Sequence, residues 1–390
     1  MTEPSSQRAA SAGSLPPAGL VPTASGSSLP PTDPVRVASY LRGLEPNARI
    51  RPGLLSNPLA RTNWQSVGHD RLLELLPDRS ASRETPNVHA LEPALGELLF
   101  EHGVNVLVLN GGDGTIHQTL NAAIRVVDRA SEATGLKVPL PLFLFVNGGG
   151  MNMLARVFGS RGHPVRTLKK FLARARGARF GSLPKRGVPL MAVHPLAGPG
   201  PVEAASCEPI RYGYIFGSEL VFNALQMYER FGQGYVGLTR FLFEVGAGYA
   251  FRTELWNRFG HLLDAPQTPL AIDDETFPHY TSVLATTVPL QLVKGVVATV
   301  RRMASPGGMN VVAVLPTDKG EVIRTIPNLM FGAQAQGVVY RNDVHRVVVH
   351  GAYTLDGERF DRHDAAAPGS VSAAPLEVRG STRVVWGVWL

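Results

Sequence analysis

Hydrophobic residues in the first half of the chain alternate between helical spacing and short uninterrupted runs. Leucines recur every three or four residues across 89–102, which predicts a helix, whereas the apolar run at 104–109 predicts a buried strand. The full predicted order is β-α-α-β-loop-α-β-loop-α, with strands at 53–58, 104–109 and 139–146 and helices at 64–76, 89–102 and 116–127. Strands that alternate with helices predict a mainly parallel sheet, whose ligands bind at the carboxyl ends of the strands.

Beyond about residue 180 the pattern changes to short apolar stretches separated by Gly, Pro and Asn. The stretches at 190–193, 311–315 and 347–349 predict strands of an antiparallel second domain. Helical patterns interrupt them at 219–230 and 290–302. We therefore predict two folded parts, an α/β domain at 35–180 and a β-rich domain at 181–390.

The first 34 residues differ from both parts. They contain seven Ser, seven Pro and three Gly and no aromatic residue. Such a segment cannot bury enough apolar surface to fold, so we predict a disordered tail at 1–34.

Composition and charge narrow the functional classes. With 44% hydrophobic and 18% charged residues the chain can build a core, and it has no run of about 18 apolar residues that would predict a membrane-spanning helix. The net charge of +7 favours anionic partners, namely nucleotide phosphates, an anionic lipid surface or nucleic acid. No nucleic-acid-binding motif is present, so we expect no nucleic-acid partner. The single cysteine, Cys207, excludes an internal disulfide and favours a reducing, cytoplasmic location.

The strongest local signal is the sequence Gly111-Gly112-Asp113-Gly114-Thr115, placed between a predicted strand and a predicted helix. Glycines let a phosphate approach the backbone, and the following helix offers unpaired N–H groups and a partial positive charge. A carboxylate in such a loop suits a Mg²⁺ ligand or a proton acceptor, and Thr115 suits a helix cap or a phosphate donor. A tight turn that merely caps a helix is the alternative interpretation.

A second glycine loop follows the next strand. The run at 141–146 leads into Asn147-Gly148-Gly149-Gly150-Met151-Asn152 and then a helix. Because both loops lie at the ends of adjacent strands, they favour one shared nucleotide site. The chain contains no GxxxxGK[ST] motif and its glycine spacing does not fit GxGxxG, which argues against P-loop ATPases and dinucleotide-binding dehydrogenases.

These residues resemble a known family. GGDGT at 111–115, followed by a strand and GGGMNMLAR at 148–156, is similar to the catalytic domain of diacylglycerol kinase-like lipid kinases, which include bacterial diacylglycerol and sphingosine kinase-like members. The resemblance continues at Asn57-Pro58, at 214–224 and at Asp356-Gly357-Glu358, and it spans roughly 57–361. It implies an α/β nucleotide-binding domain of the NAD kinase/diacylglycerol kinase type with a C-terminal β-sandwich-like domain.

The resemblance also implies chemistry. Members of this family transfer the γ-phosphoryl group of ATP to a lipid hydroxyl with Mg²⁺. By the match, Asp356 is the first candidate for the base, Glu358 orients it, and Asp113 assists with metal or nucleotide; the reverse assignment, with Asp113 as base, stays open. Asp356-Gly357 is equally typical of a hairpin turn. The residues implied in nucleotide binding are Asn57, Gly111, Gly112, Gly114, Thr115, Gly148, Gly149, Gly150 and Asn152.

The sequence departs from the family pattern in the second loop and just after GGDGT. The second loop is usually GTGND, whereas Gly150, Met151 and Met153 stand here at its Thr, Gly and Asp positions, so one carboxylate expected near Mg²⁺ is absent. The Asn-Glu that follows GGDGT is His117-Gln118, and we predict that His117 is a surface residue rather than a catalyst.

The overall prediction is an ATP- and Mg²⁺-dependent kinase of a diacylglycerol-like or sphingoid lipid. A NAD kinase-like enzyme and a non-catalytic nucleotide- or lipid-binding regulator are the alternatives. The basic stretch at 166–179 fits either the solvated face of an amphipathic helix or contact with an anionic bilayer. The composition is compatible with a peripheral protein that visits the membrane to collect its lipid substrate.

Overall fold

Helices and strands alternate through the first part of the fold, and the structure adds to the predicted order a helix at the start and a short strand between the first two predicted helices. The computed structural model describes residues 33–60, 68–149, 152–196, 209–223, 247–248, 251, 268–290, 300–331, 334–360 and 375–390. The first elements are α1 (Pro34–Gly43), β1 (Pro52–Ser56), α2 (Gly68–Leu73), β2 (Ser82–Glu84), α3 (Leu91–Gly96), β3 (Val106–Gly111), α4 (Asp113–Thr134), β4 (Leu142–Asn147), α5 (Met153–Val157) and α6 (Pro164–Ala175). A turn of 3-10 helix precedes α3 and a turn of π-helix (Glu97–Glu101) follows it.

The first four strands form the parallel core of one sheet, in the order β2-β1-β3-β4. Ser56 of β1 lies opposite Asn110 of β3, and Gly111 of β3 lies opposite Asn147 of β4. These registers bring the carboxyl ends of β1, β3 and β4 to the same edge of the sheet. Both faces of the strands are buried, one under α4 and the other under α6, which is why their sequences are continuous apolar runs.

The second half of the chain consists mainly of strands. They are β5 (Lys185–Pro195), β6 (Arg211–Gly213), β7 (Ile215–Glu219), β8 (Leu270–Ile272), β9 (Glu275–Phe277), β10 (Ser282–Thr286), β11 (Met309–Val314), β12 (Val338–Val344), β13 (Arg346–His350), β14 (Tyr353–Leu355), β15 (Glu358–Phe360) and β16 (Pro375–Val388), with one helix, α7 (Lys319–Phe331), between β11 and β12. The predicted stretches at 190–193, 311–315 and 347–349 lie in β5, β11 and β13.

The long strand β16 connects the two halves of the fold. Its end pairs in parallel with β4, through Gly387 and Phe143, and its length pairs antiparallel with β5 and β13. The parallel sheet therefore continues into an antiparallel extension. The second sheet is entirely antiparallel among the described strands, in the order β12-β11-β10-β7-β14-β15.

A second core fills the space between the extension and the antiparallel sheet. Val193, Val347 and Val378 come from the first sheet, and Phe216 and Val311 come from the second. Two facing sheets with an apolar layer between them make a sandwich. The predicted fold class, an α/β part with a β-sandwich-like part, is confirmed.

Several predicted segments lie outside the described residues, wholly or in part. They are most of the tail, the start of the helix at 64–76, Cys207, most of the helix at 219–230 and residues 291–299 of the helix at 290–302. Residues 32–390 form one compact unit, and the domain boundary at 180/181 stays a prediction. Within the described ranges, no helix combines the length and the apolar character needed to cross a bilayer.

Candidate active site

Three loops meet at the carboxyl edge of the parallel strands. Asn57 follows β1, the first glycine loop follows β3, and the second follows β4. The backbone N–H of Asn57 donates to the Asn110 carbonyl at 3.0 Å, and the N–H of Gly148 donates to the Gly111 carbonyl at 3.1 Å. The two glycine loops therefore lie in direct contact, and the nucleotide site that they were predicted to share stays a prediction.

The glycines allow the two loops to touch backbone to backbone. A Cβ added to Gly148 would lie 2.6 Å from the backbone nitrogen of Gly111, and one added to Gly149 would overlap the Cα of Gly112. A Cβ on Gly111 would lie 2.5 Å from the side chain of Thr115. At Gly148 and Gly149 the obstructing atoms are backbone atoms, which cannot move aside as flexible side chains do, so these two positions require glycine. Gly150 and Met151 lie outside the described residues.

Asn57 and Thr115 form the first polar contact of the site. Asn57 Nδ2 donates to Thr115 Oγ1 at 2.9 Å, and Asn57 Oδ1 accepts the N–H of Leu59 at 2.9 Å. The amide thus orients the hydroxyl oxygen, and Thr115 can still donate its proton to a ligand. The cap of α4 is Gly112, which offers no side-chain bond, so Thr115 fits the predicted role of phosphate donor better than that of helix cap.

Asn152 and Asp113 brace the second loop. Asn152 has a left-handed φ of 50°, its Nδ2 donates to the Gly149 carbonyl at 2.7 Å, and its Oδ1 accepts the Gly149 N–H at 2.9 Å. The Asp113 carboxylate accepts the N–H groups of Met153 and Leu154, both at 3.0 Å. Asp113 therefore ties the first loop to the start of α5. Burial raises the pKa of Asp113, although these two N–H donors act in the opposite direction.

Asp356 lies at the turn of the β14–β15 hairpin. Asp356 and Gly357 have φ values of 55° and 89°, as a two-residue turn with both central residues left-handed requires. Asp356 Oδ1 accepts the N–H groups of Tyr214 and Ile215, both at 2.9 Å, and its side chain is fully buried. Its Oδ2 lies 3.0 Å from His117 Nδ1. Both carboxylate oxygens are therefore occupied inside the protein.

His117 is not a surface residue, and our prediction for it was wrong. Its side chain is only 2% exposed and bonds to Asp356. The reason is that this face of α4 packs against the second half of the chain: Asn121, one turn further on, donates to the Tyr212 carbonyl and accepts the Tyr212 N–H. Two polar residues spaced four apart on an otherwise apolar helix face were the signal available in the sequence.

Glu358 extends from the same hairpin into an open cleft of about 590 Å³. The cleft is also lined by Asn57, Gly112, Thr115 and Gly149. Glu358 Oε1 lies over Gly114, where an added Cβ would overlap it. The hairpin thus places a carboxylate directly on the glycine loop, at the start of α4. Gln118, to which the sequence analysis gave no role, lines the cleft as well.

The donors present fit a Mg²⁺ ion that is held together with a nucleotide. Mg²⁺ in such sites takes one or two carboxylates and completes its shell with phosphate oxygens and water. Each oxygen of Asp113 keeps a second lone-pair site beside its backbone N–H, and a cation there would offset the burial that raises its pKa. In the part of the chain that the structure describes, no group of three or more His, Cys, Asp or Glu side chains forms an all-protein metal site.

Solved structures share this architecture. A protein from Bacillus anthracis str. Sterne, provisionally assigned as a diacylglycerol kinase, superposes with a TM-score of 0.54 at 12% identity, over 87% of this chain and 97% of that one. A second structure of that description and organism gives a TM-score of 0.53 at 13% identity with the same coverage. This chain has the diacylglycerol kinase fold.

The fold that the motif resemblance implied is therefore the fold observed. No protein-family model matches the sequence, and no curated protein matches it. The proteins share their architecture although most of their side chains differ. The roles of the site residues therefore depend on the contacts that this chain itself makes.

Proposed function

We propose that this protein is a kinase that transfers the γ-phosphoryl group of ATP, with Mg²⁺, to a hydroxyl of a diacylglycerol-like or sphingoid lipid. The observation that carries the proposal is the position of Glu358, a carboxylate set over Gly114 of a glycine loop that faces an open cleft. The shared fold supports the kinase class, and the motif resemblance supports a lipid acceptor.

The phosphates of the nucleotide would bind at the glycine loops. Helix α4 spans 22 residues, and its cap Gly112 supplies no side-chain acceptor, so the first N–H groups of the helix remain available. These donors and the positive end of the helix dipole favour an anion at this point. Thr115 adds a hydroxyl, and the packed glycines leave no Cβ between the backbone and the phosphates.

Glu358 is our candidate for the base, with Asp356 as the residue that positions it. The family resemblance implied Asp356 as the first candidate for the base. Its two carboxylate oxygens, however, are held by Tyr214 N–H, Ile215 N–H and His117. Glu358 instead lines the cleft. The acceptor hydroxyl would give its proton to Glu358 as its oxygen forms a bond to the γ-phosphorus. The bond from that phosphorus to the bridging oxygen breaks, and ADP leaves with the electron pair.

Asp113 is our candidate for the metal, with a coordination shell that nucleotide phosphates and water complete. When bound, Mg²⁺ neutralises charge on the phosphates during transfer. The second loop carries Met153 at the position of the family's carboxylate, and the side chain of Asn152 beside it holds Gly149 in place.

The non-catalytic regulator is the second candidate, and one observation favours it. Both oxygens of Asp113 already bond to backbone N–H groups, and the next loop has no carboxylate to share a metal. A protein so constructed could bind a nucleotide without turnover.

The test is transfer of labelled phosphate from Mg·ATP to diacylglycerols, monoacylglycerols, sphingoid bases and phosphatidylglycerol, with NAD as a separate acceptor. The proposal expects product on a lipid, and a decrease in kcat of about a hundred- to ten-thousandfold for Glu358→Gln, with ATP affinity retained. Wild-type protein that binds ATP and phosphorylates no acceptor would favour the regulator. Phosphorylation of NAD alone would favour the NAD kinase-like alternative.

A further inference from the structure

A second cavity, of about 620 Å³, lies beside helix α6 and shares no lining residue with the cleft that contains Glu358. Its wall is formed by the segment that connects α5 to α6, by the first half of α6 and by the end of the chain at Leu390. We refer to it as the α6 pocket.

The α6 pocket is lined by four cations. Arg161 comes from the connecting segment, and Arg166, Lys169 and Lys170 lie on α6 at spacings that place them on one face of the helix. Among the described residues, no carboxylate lies within ion-pair distance of any of the four; the basic side chains that do form pairs are elsewhere, such as Arg383 with Asp128. Like charges at these spacings repel one another, so the cluster favours an anion from outside.

Ser160 gives the pocket a buried polar group. Its side chain is 1% exposed, and its Oγ has no hydrogen-bond partner among the described residues. A buried hydroxyl without a partner costs free energy that a bound acceptor would recover. The residue lines the same wall as Arg161, so the missing acceptor and the unpaired positive charge occur at one place.

The rim of the pocket carries an exposed indole. The Trp389 ring packs on Gly159, which lines the pocket; Arg186 lies 4.8 Å above the ring, and 39% of Trp389 is exposed. Trp386, three residues earlier, is 45% exposed and lies under Lys185. Indoles beside lysine and arginine are typical of the water–membrane interface.

We propose that the α6 pocket is a second anion site, which binds a phosphate group through Arg161, Arg166, Lys169, Lys170 and the Ser160 hydroxyl. A phosphate offers oxygen acceptors for Ser160 and at least one negative charge for the cations. A phospholipid head group and a soluble phosphate share this chemistry. The exposed indole of Trp389, which packs on Gly159, favours the head group.

The experiment compares the full-length chain with the variant Arg166→Gln/Lys169→Gln/Lys170→Gln. A matched control loses the same charge at exposed positions that do not line the pocket, Arg42→Gln/Lys137→Gln/Arg324→Gln. Binding is measured with inorganic phosphate at constant ionic strength, with the cleft saturated by ATP, and with vesicles of phosphatidylcholine alone or mixed with phosphatidylglycerol.

We expect the pocket variant to lose affinity for phosphate by tenfold or more and to lose retention on phosphatidylglycerol vesicles, while the control retains both. Ser160→Ala should weaken phosphate binding by several-fold without loss of folding, because its Oγ bonds to no described group. Loss of phosphate binding with vesicle retention unchanged would support the site and assign it to a soluble phosphate. Equal losses in the pocket variant and the control, or no loss in either, would overturn the proposal.

Discussion

His117 Nδ1 lies 3.0 Å from Asp356 Oδ2, and both side chains are buried, although 239 positions separate them in the chain. The contact joins α4, which begins in the first glycine loop, to the hairpin that carries Glu358. The place of Glu358 over the loop thus depends on a pair of residues that do not themselves line the cleft.

His117→Ala should lower kcat at least tenfold and leave the ATP affinity within a few-fold of wild type. The substitution removes the group that holds Asp356 Oδ2, while the backbone of the glycine loop stays intact. His117→Asn, which keeps an N–H donor at this position, should recover most of kcat. The measurement is steady-state transfer together with direct titration of ATP binding.

Asn121→Ala provides the control for His117, because it also breaks a contact between α4 and the second half but touches Tyr212 rather than Asp356. Hydrogen exchange of the hairpin at 353–360 gives a readout that is independent of activity. The positioning role would be contradicted if Asn121→Ala and His117→Ala lowered kcat equally, or if the exchange of the hairpin were unchanged in His117→Ala.

Asp356→Ala and Glu358→Ala should separate folding from catalysis. Removal of Asp356 leaves the N–H groups of Tyr214 and Ile215 and the His117 ring without their acceptor in a buried place, which should cost about 3–5 kcal/mol of unfolding free energy. Removal of Glu358, which lines an open cleft, should cost about 1 kcal/mol or less. Urea unfolding measures both, and similar losses of stability would show that Asp356 is not the anchor of the hairpin.

Gly149→Ala should raise the Kd for ATP at least tenfold. The added Cβ would overlap the Gly112 backbone, so the two glycine loops would have to move apart and the phosphate site would widen. Gly96→Ala is the matched control: it lies at a helical position with no atom within 4 Å of the new Cβ, and it should stabilise the fold by about 0.5–1 kcal/mol. Unchanged ATP affinity in Gly149→Ala would show that the packing of the loops does not form the phosphate site.

The parallel strands and the glycine loops were predictable because their signals are local. A continuous apolar run such as 104–109 has few alternatives to a buried strand. A glycine loop directly after such a strand favours a ligand with a phosphate group, which can approach the backbone there. The sandwich followed from the resemblance and from short apolar stretches. The position of β16 was not predicted. This strand pairs with β4 through only Gly387 and Phe143, and no periodicity in the sequence indicates that pair.

The roles of the acidic residues were harder to predict for the same reason. Asp356 and Glu358 lie two apart, so the pattern alone cannot say which one faces the protein. The contacts that decide it come from Tyr214, Ile215 and His117, more than 130 residues away. Helix α7 was not predicted either, because strands dominate the composition around it.

Glu219 should make the stability of the fold depend on pH. It ends β7 with a left-handed φ of 51°, and burial raises its pKa from 4.5 to about 7. Its charge also contributes to raising the pKa of Tyr280 to about 12, after burial itself. Well below the pKa of Glu219 in the unfolded protein, its carboxyl is protonated in both states and does not make stability depend on pH. Stability then falls as the pH rises from about 4.5 to about 7. The reason is that the folded protein holds this proton more tightly than the unfolded protein does.

Glu219→Gln should remove this loss of stability at high pH. Because the side chain is only partly buried, we expect the variant to exceed wild type by about 2 kcal/mol at pH 8 and to equal it near pH 4. Urea unfolding at the two pH values measures the difference directly. A gain of the same size at both pH values would mean that the amide improves packing or backbone geometry, and that the charge of Glu219 does not oppose folding.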